Sequence, residues 1–379
     1  MIKLRRLVNE ENPHILKIHC TLHVFNLMAK QISAHPSMDS VVKANKILVN
    51  YFTTAGFWRE HLTTWQKAKG IKHGLQTLCE TRWYSMAKVC LGVQTHEAGF
   101  KKCLELLSDP IVDTPTMPNN IIQAIKNHDH FTENQTLVSL LTPIIDAIAS
   151  LERTETTLAD IWKELLIAHK KIQNVNVYSC FEAFKRHCLE TLESQTKVYH
   201  DDVYVVAFFL HPKYCCVAVS KKHSLSDVTQ MIIRLAKQFK LTKGKALTLQ
   251  DATNWYYNQL YPYNSKNVDK LLDYWMTVPE TPKSNALKKL SISLLEIVPH
   301  AARVKGLFSM MNAIKTKARN QMSTNTLKMM TQLKLHLLQG DSLLNNRKKR
   351  KQKDGKDCTS EYKNMNIYNA FLTKTELED

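Results

Sequence analysis

Cys20 and His23 stand three residues apart in Cys20-Thr21-Leu22-His23, which is the spacing of half a zinc site. Structural zinc takes four such ligands in a tetrahedron, and the remaining cysteines are scattered without a Cys-x-x-Cys pair to supply the other half. Packing, with no metal, is therefore the expected role of this pair. The acids nearest the motifs described below are Asp39, Glu80 and Glu296, each standing singly, where a hard divalent cation calls for several carboxylates together. Neither a glycine-rich phosphate loop nor a nucleophile elbow is present. What the sequence does supply is positive charge: 52 Lys and Arg against 34 Asp and Glu, a formal net charge of +18.

That charge is segregated. Residues 1–100 carry 13 basic and 6 acidic side chains, residues 281–339 carry 10 and 1, and the stretch between is balanced at 20 and 20. Two basic blocks around a neutral middle suggest one surface with the middle inserted into it. A surface of that sign attracts a polyanion such as DNA, held mainly through its phosphates as counterions are released. The run Arg347-Lys348-Lys349-Arg350-Lys351 is a candidate nuclear import signal or phosphate-contacting arm, so the nucleus is the expected location.

The elements that position these groups are helices. Apolar residues make up 44 % of 379, enough for a large core, and the 9 glycines compare with an average usage of about 7 %, nearly three times as many. Residues 14–18 read as a short strand running into a helix over 20–33. Residues 40–69 read as two helices divided near Gly56. Helix then follows helix through 280, with prolines marking starts and breaks. Helices over 285–297 (Leu287, Leu290, Leu294, Leu295), 302–316 and 324–338 complete the pattern. The last has Ser323 as its N-cap and Leu327, Met330, Leu333, Leu337 and Leu338 on its buried side. No run of about 18 apolar residues occurs, so no membrane partner is expected. The opening residues lack a secretory h-region, and nine scattered cysteines favour a reducing compartment.

Four patterns then occur in a fixed order. They are Cys20-Thr21-Leu22-His23, Thr81-Arg82-Trp83-Tyr84-Ser85, Leu210-His211-Pro212-Lys213-Tyr214, and Val298-Pro299-His300-Ala301-Ala302-Arg303-Val304-Lys305-Gly306-Leu307-Phe308-Ser309. The last is followed by Arg319-Asn320 and Met322-Ser323. Over residues 10–340 this series resembles the hAT superfamily of DNA transposases and the host proteins derived from them. The resemblance implies a mainly α chain: a partial ribonuclease-H-like α/β fold (1–95 and a returning segment, 281–340) interrupted by a large all-helical insertion (96–280). A basic, largely disordered tail (341–379) would follow.

The family cuts DNA with two aspartates and a glutamate that hold divalent metal, usually Mg²⁺. Both aspartates belong ahead of the Cys-x-x-His element, where this chain has only Met1 to His19 and no Asp. The glutamate belongs just ahead of Phe-Ser, in a Glu-Arg pair, and Lys305-Gly306 stands there. A cation at that place repels Mg²⁺ instead of holding it. The expectation is a catalytically inactive protein with no cofactor. The alternative is a metal-dependent DNA transposase or nuclease whose missing ligands come from a longer chain. By the same resemblance Arg82 and Trp83 lie where an indole can stack on a displaced base, and the Cys20–His23 pair is a structural motif at a helix start. The DNA-binding candidates are Arg82, Trp83, Lys315, Lys317 and Arg319. The candidates for homodimer formation are Leu290, Leu294, Phe308, Leu327, Met330 and Leu337.

Overall fold

Cys20 is the last residue before a helix that takes in the rest of its motif. In α1 (Thr21–Ser33) Leu22, Phe25, Met28, Ala29 and Ile32 recur at helical spacing and all are buried. The two helices expected next are α2 (Asp39–Thr54) and α3 (Gly56–Ala68), with Ala55 in extended conformation between them. The computed structural model describes residues 7–8, 10–12, 14–77, 84–153, 155–220, 223–241, 246–264, 270–316 and 321–349. Among them are sixteen α-helices and no strand. The chain is mainly α.

After α3 come α4 (Tyr84–Leu107), α5 (Asn119–Lys126), α6 (His128–Leu151), α7 (Ala159–Gln173), α8 (Glu182–Thr196) and α9 (Asp202–Phe209). They are followed by α10 (Cys215–Ala218), α11 (Leu225–Gln238), α12 (Ala246–Tyr257), α13 (Leu271–Thr277) and α14 (Asn285–Leu295). Helices α15 (Ala302–Ile314) and α16 (Thr324–Lys349) end the described chain. One hydrophobic core runs from Leu22 to Leu295. Within it α6 packs on α1, α4 and α7, while α9 packs on α7, α11 and α14. The boundary expected at 95/96 falls inside α4, and α1 lies against α6 and α8, so the N-terminal helices and the middle ones share that core.

Some elements differ from the sequence reading. Residues 14–18 are a turn and irregular chain instead of a strand, because no strand among the described residues offers a ladder to pair with. Pro143 does not break a helix: α6 continues through it. An interior proline costs about 3 kcal/mol, and α6 offsets it by burying Leu137, Leu140, Leu141, Ile144 and Ile148 among α1, α2, α4 and α7. Helix α12 has Leu249, Ala252, Thr253 and Tyr256 buried at i, i+3, i+4 and i+7, a pattern short enough to pass for loop. The last helix extends past Leu338 to Lys349, so part of the tail expected from 341 is helical.

Between α2, α4 and α6 the core holds polar groups. Asn45 donates Nδ2 to Asn134 Oδ1 at 2.7 Å, and Asn134 Nδ2 donates to Cys90 O at 3.0 Å and to Gln94 Oε1 at 2.9 Å. Both asparagines are fully buried, and burial pushes the Cys90 thiol up to about 12. Burying such groups is tolerable only while they satisfy one another. Asn134→Ala removes all three of these bonds and leaves Asn45 Nδ2 with only the weak Cys90 Sγ acceptor at 3.3 Å, and is expected to lower unfolding free energy by about 1–3 kcal/mol in urea titration. The same change made in an Asn45→Ala background should cost measurably less.

Candidate functional site

The Cys20 motif and the Val298–Pro299 motif meet through the backbone. Thr21 N–H donates to Pro299 O at 3.0 Å, directly at the start of α1. One residue earlier His19 N–H donates to Tyr204 Oη at 2.8 Å, on the first turn of α9. Helix α9 runs on into Leu210-His211-Pro212-Lys213-Tyr214 at its far end, so two of the four sequence patterns meet here and a third lies at the other end of the helix they abut. Cys20 is the residue preceding α1 and is half-buried, whereas His23 points to solvent. The pair stands at a helix start, where only the cysteine packs. Among the described residues no three His, Cys, Asp or Glu side chains cluster as metal ligands. Asp39 opens α2 and pairs with Lys43 at 2.6 Å, and Glu296 is exposed beyond the end of α14.

His211 turns the corner after α9. Its Nδ1 accepts from Lys213 N–H at 3.2 Å, and its ring lies 4.2 Å from that of Tyr214. Burial, with Lys163 and Lys213 nearby, pushes the imidazole down to about 3. The corner is thus a helix stop built around a neutral histidine.

The returning segment splits into two parts with different fates. Leu290 and Leu294 of α14 are fully buried, and α14 packs on α9, α12 and α13. The expectation that they mediate self-association is corrected: intramolecular neighbours already occupy that face. Lys288 also leaves the basic surface, since its ammonium is buried, donates to Met276 O and Val278 O at 3.0 and 2.8 Å, and pairs with Glu280 at 3.3 Å. Helices α15 and α16 pack on each other, and their buried residues Ile314 and Leu327 stand apart from the main core. Ser323 accepts from Thr326 N–H at 3.1 Å and caps α16.

The outer side of this helical pair is apolar and uncovered. Phe308 is 59 % exposed and Leu333 and Leu337 are each 61 % exposed, with Val304, Met329 and Met330 also open to solvent. Met330, Leu333 and Leu337 were expected on the buried side of α16; instead Leu327 and Thr331 face α15, and the row at 330, 333 and 337 faces outward. Two stripes on one helix cannot both meet a single neighbour. Lys315 is exposed at the end of α15. Arg82, Trp83, Lys317 and Arg319 lie outside the described residues, and Lys305 falls on α15 with its side chain outside the description.

No family model matches the chain, and no curated protein sequence matches it. Among the described residues no helix is long and apolar enough to cross a membrane.

The lowered pKa of His211 fixes the sign of an acid response. The unfolded chain takes up a proton near pH 6.5, which the folded corner refuses until about 3. The stabilisation is therefore full above pH 6.5 and declines as pH falls, by up to about 1.4 kcal/mol per pH unit from this group. His211→Gln should flatten the slope of urea-derived stability between pH 6.5 and 4.5.

Proposed function

We propose that this chain is a catalytically inactive protein derived from a transposase of the hAT kind, with a partial ribonuclease-H-like fold, acting in the nucleus. It self-associates through the α15–α16 pair and binds DNA through phosphate contacts. The observation that carries the reading is the uncovered apolar row of Phe308, Met330, Leu333 and Leu337 on a helical pair outside the main core. Met330, Leu333 and Leu337 recur at i, i+3 and i+7 and so share one face of α16, and an exposed apolar row of this kind marks an interaction surface, unlike scattered exposed leucines. The ordered motifs and Lys305-Gly306, in the place where the family's metal-binding glutamate belongs, support the inactive assignment.

The two activities are coupled by charge. Between Ile297 and Gly340 there are seven Lys and Arg and no Asp or Glu. Two copies meeting there bring like charges together, and a polyanion lying along the surface relieves the repulsion. Dimer formation and DNA binding therefore strengthen each other by equal factors.

Light scattering of the purified chain should give a dimer that is tighter with a short DNA duplex present. Phe308→Asp combined with Leu333→Asp should weaken it by about tenfold or more while the urea unfolding of the main core stays as it was, because both side chains are exposed on helices outside that core. A monomer under all conditions would count against self-association. Strand nicking dependent on Mg²⁺ or Mn²⁺ would overturn the inactive assignment in favour of a metal-dependent nuclease.

A further inference from the structure

Two thiols stand side by side on the turn that follows the His211 corner. Cys215 and Cys216 open α10, and their sulfurs are 3.9 Å apart. Neighbouring side chains of a helix point about 100° apart round its axis, so this contact comes from the rotamers and not from adjacency alone. The two thiols differ in access. Cys216 is exposed, whereas Cys215 is 1 % exposed and donates its S–H to Pro212 O at 3.4 Å. Burial, with the Cys216 sulfur beside it, pushes the Cys215 thiol up. It stays protonated, and an oxidant in solution meets Cys216 first.

We infer that Cys215 and Cys216 are a reversible oxidation site, where a hydroperoxide joins the two thiols in a vicinal disulfide and unwinds α10. The Cys216 sulfur attacks the O–O bond, keeps one oxygen as a sulfenic acid and releases the other as an alcohol. The Cys215 sulfur, already in contact, then attacks the Cys216 sulfur. The S–S bond forms, the S–O bond breaks, and the hydroxyl leaves as water with the Cys215 proton. Two thiols are oxidised, and one hydroperoxide is reduced to an alcohol and water. A protonated thiol is a poor nucleophile, but an oriented intramolecular attack offsets this with effective molarities of about 10⁵ M or more. The site goes beyond DNA binding and self-association and rests on neither.

The product does not fit the turn that makes it. Neighbouring Cα atoms are about 3.8 Å apart, below the roughly 4.4–6.8 Å that a disulfide usually spans. The ring therefore closes only when the peptide between the two cysteines rotates out of helical geometry. Cys215 N–H on His211 O at 3.0 Å, and Val217 and Ala218 N–H on Tyr214 O at 2.9 and 3.0 Å, hold this turn, and that rotation breaks them. Helix α10 packs on α9, so oxidation loosens the end of the buried helix. A strained disulfide is easily reduced again, which is the property of a regulatory bond and not of a structural one.

Trypsin frees residues 214–221 as one peptide, between Lys213 and Lys221, that holds these two cysteines and no other. The folded chain is treated with tert-butyl hydroperoxide, then denatured and alkylated with iodoacetamide. Mass spectrometry should find this peptide unalkylated and lighter by two hydrogens, and dithiothreitol should restore both alkylation sites. Cys216→Ser, at an exposed position, should abolish the lighter peptide. Cys215→Ala should leave Cys216 as a sulfenic acid that dimedone captures. The oxidised parent chain should unfold at lower urea concentration than the reduced one, a shift that Cys216→Ser does not show. The inference is wrong if both thiols of the peptide still alkylate after peroxide, if Cys216 ends joined to a sulfur outside the peptide, or if the disulfide forms and the urea midpoint does not move.

Discussion

Helix α9 sets the terms for the rest of the fold. Every residue from Val203 to Phe209 is buried, so the helix has no polar side to turn to water and must be enclosed all round. Helices α7, α11 and α14 provide that enclosure. A helix buried in this way also has to find partners for its last carbonyls away from solvent. Tyr256 Oη donates to Phe209 O at 3.2 Å and Trp275 Nε1 donates to Leu210 O at 2.9 Å. These two bonds tie α12 and α13 to the end of α9, and Lys288 then caps the carbonyls at the end of α13. At its other end Tyr204 receives His19 N–H. The Cys20 motif, the His211 corner and the returning segment are thereby arranged around one apolar rod.

Much of this was legible in the sequence because the elements are long and apolar on one side. The pattern of Leu22, Phe25 and Met28 could only be a buried helical face, and the division at Gly56 followed from one break in periodicity. The failures have physical causes. A strand exists only by virtue of its partner, and residues 14–18 in isolation carry no information about whether one is present. Pro143 looked like a stop, but its local penalty is smaller than the stabilisation α6 gains by burial among α1, α2, α4 and α7. Charge was legible as a count and not as a placement: Lys288 adds to the basic block on paper and sits inside the protein in fact.

The site was legible to a different degree. Motif order brought together residues that the structure also joins, at Thr21 and Pro299. Which apolar residues face outward was not readable, because Leu290 and Leu333 occupy equivalent-looking helical stripes. What separates them is the number of neighbours each helix meets. Helix α14 packs on α9, α12 and α13, whereas among the described residues the neighbour on which α16 chiefly packs is α15.

The outer row on α15–α16 follows from this difference in surroundings. A pair of helices that buries Ile314, Leu327 and Thr331 apart from the main core has little apolar area to set against the entropy of ordering some forty residues, roughly 1–2 kcal/mol each for the backbone alone. Most helical stability comes from packing, not propensity. The one substantial reserve of such packing left to this hairpin is the face of Phe308, Met330, Leu333 and Leu337 itself. Covering it returns about 25 cal/mol for each Å² of apolar surface removed from water, so whatever occupies that face also stabilises the helices that present it. Association and local folding are then one equilibrium, and the seven uncompensated cations of the segment set the electrostatic condition under which it is reached.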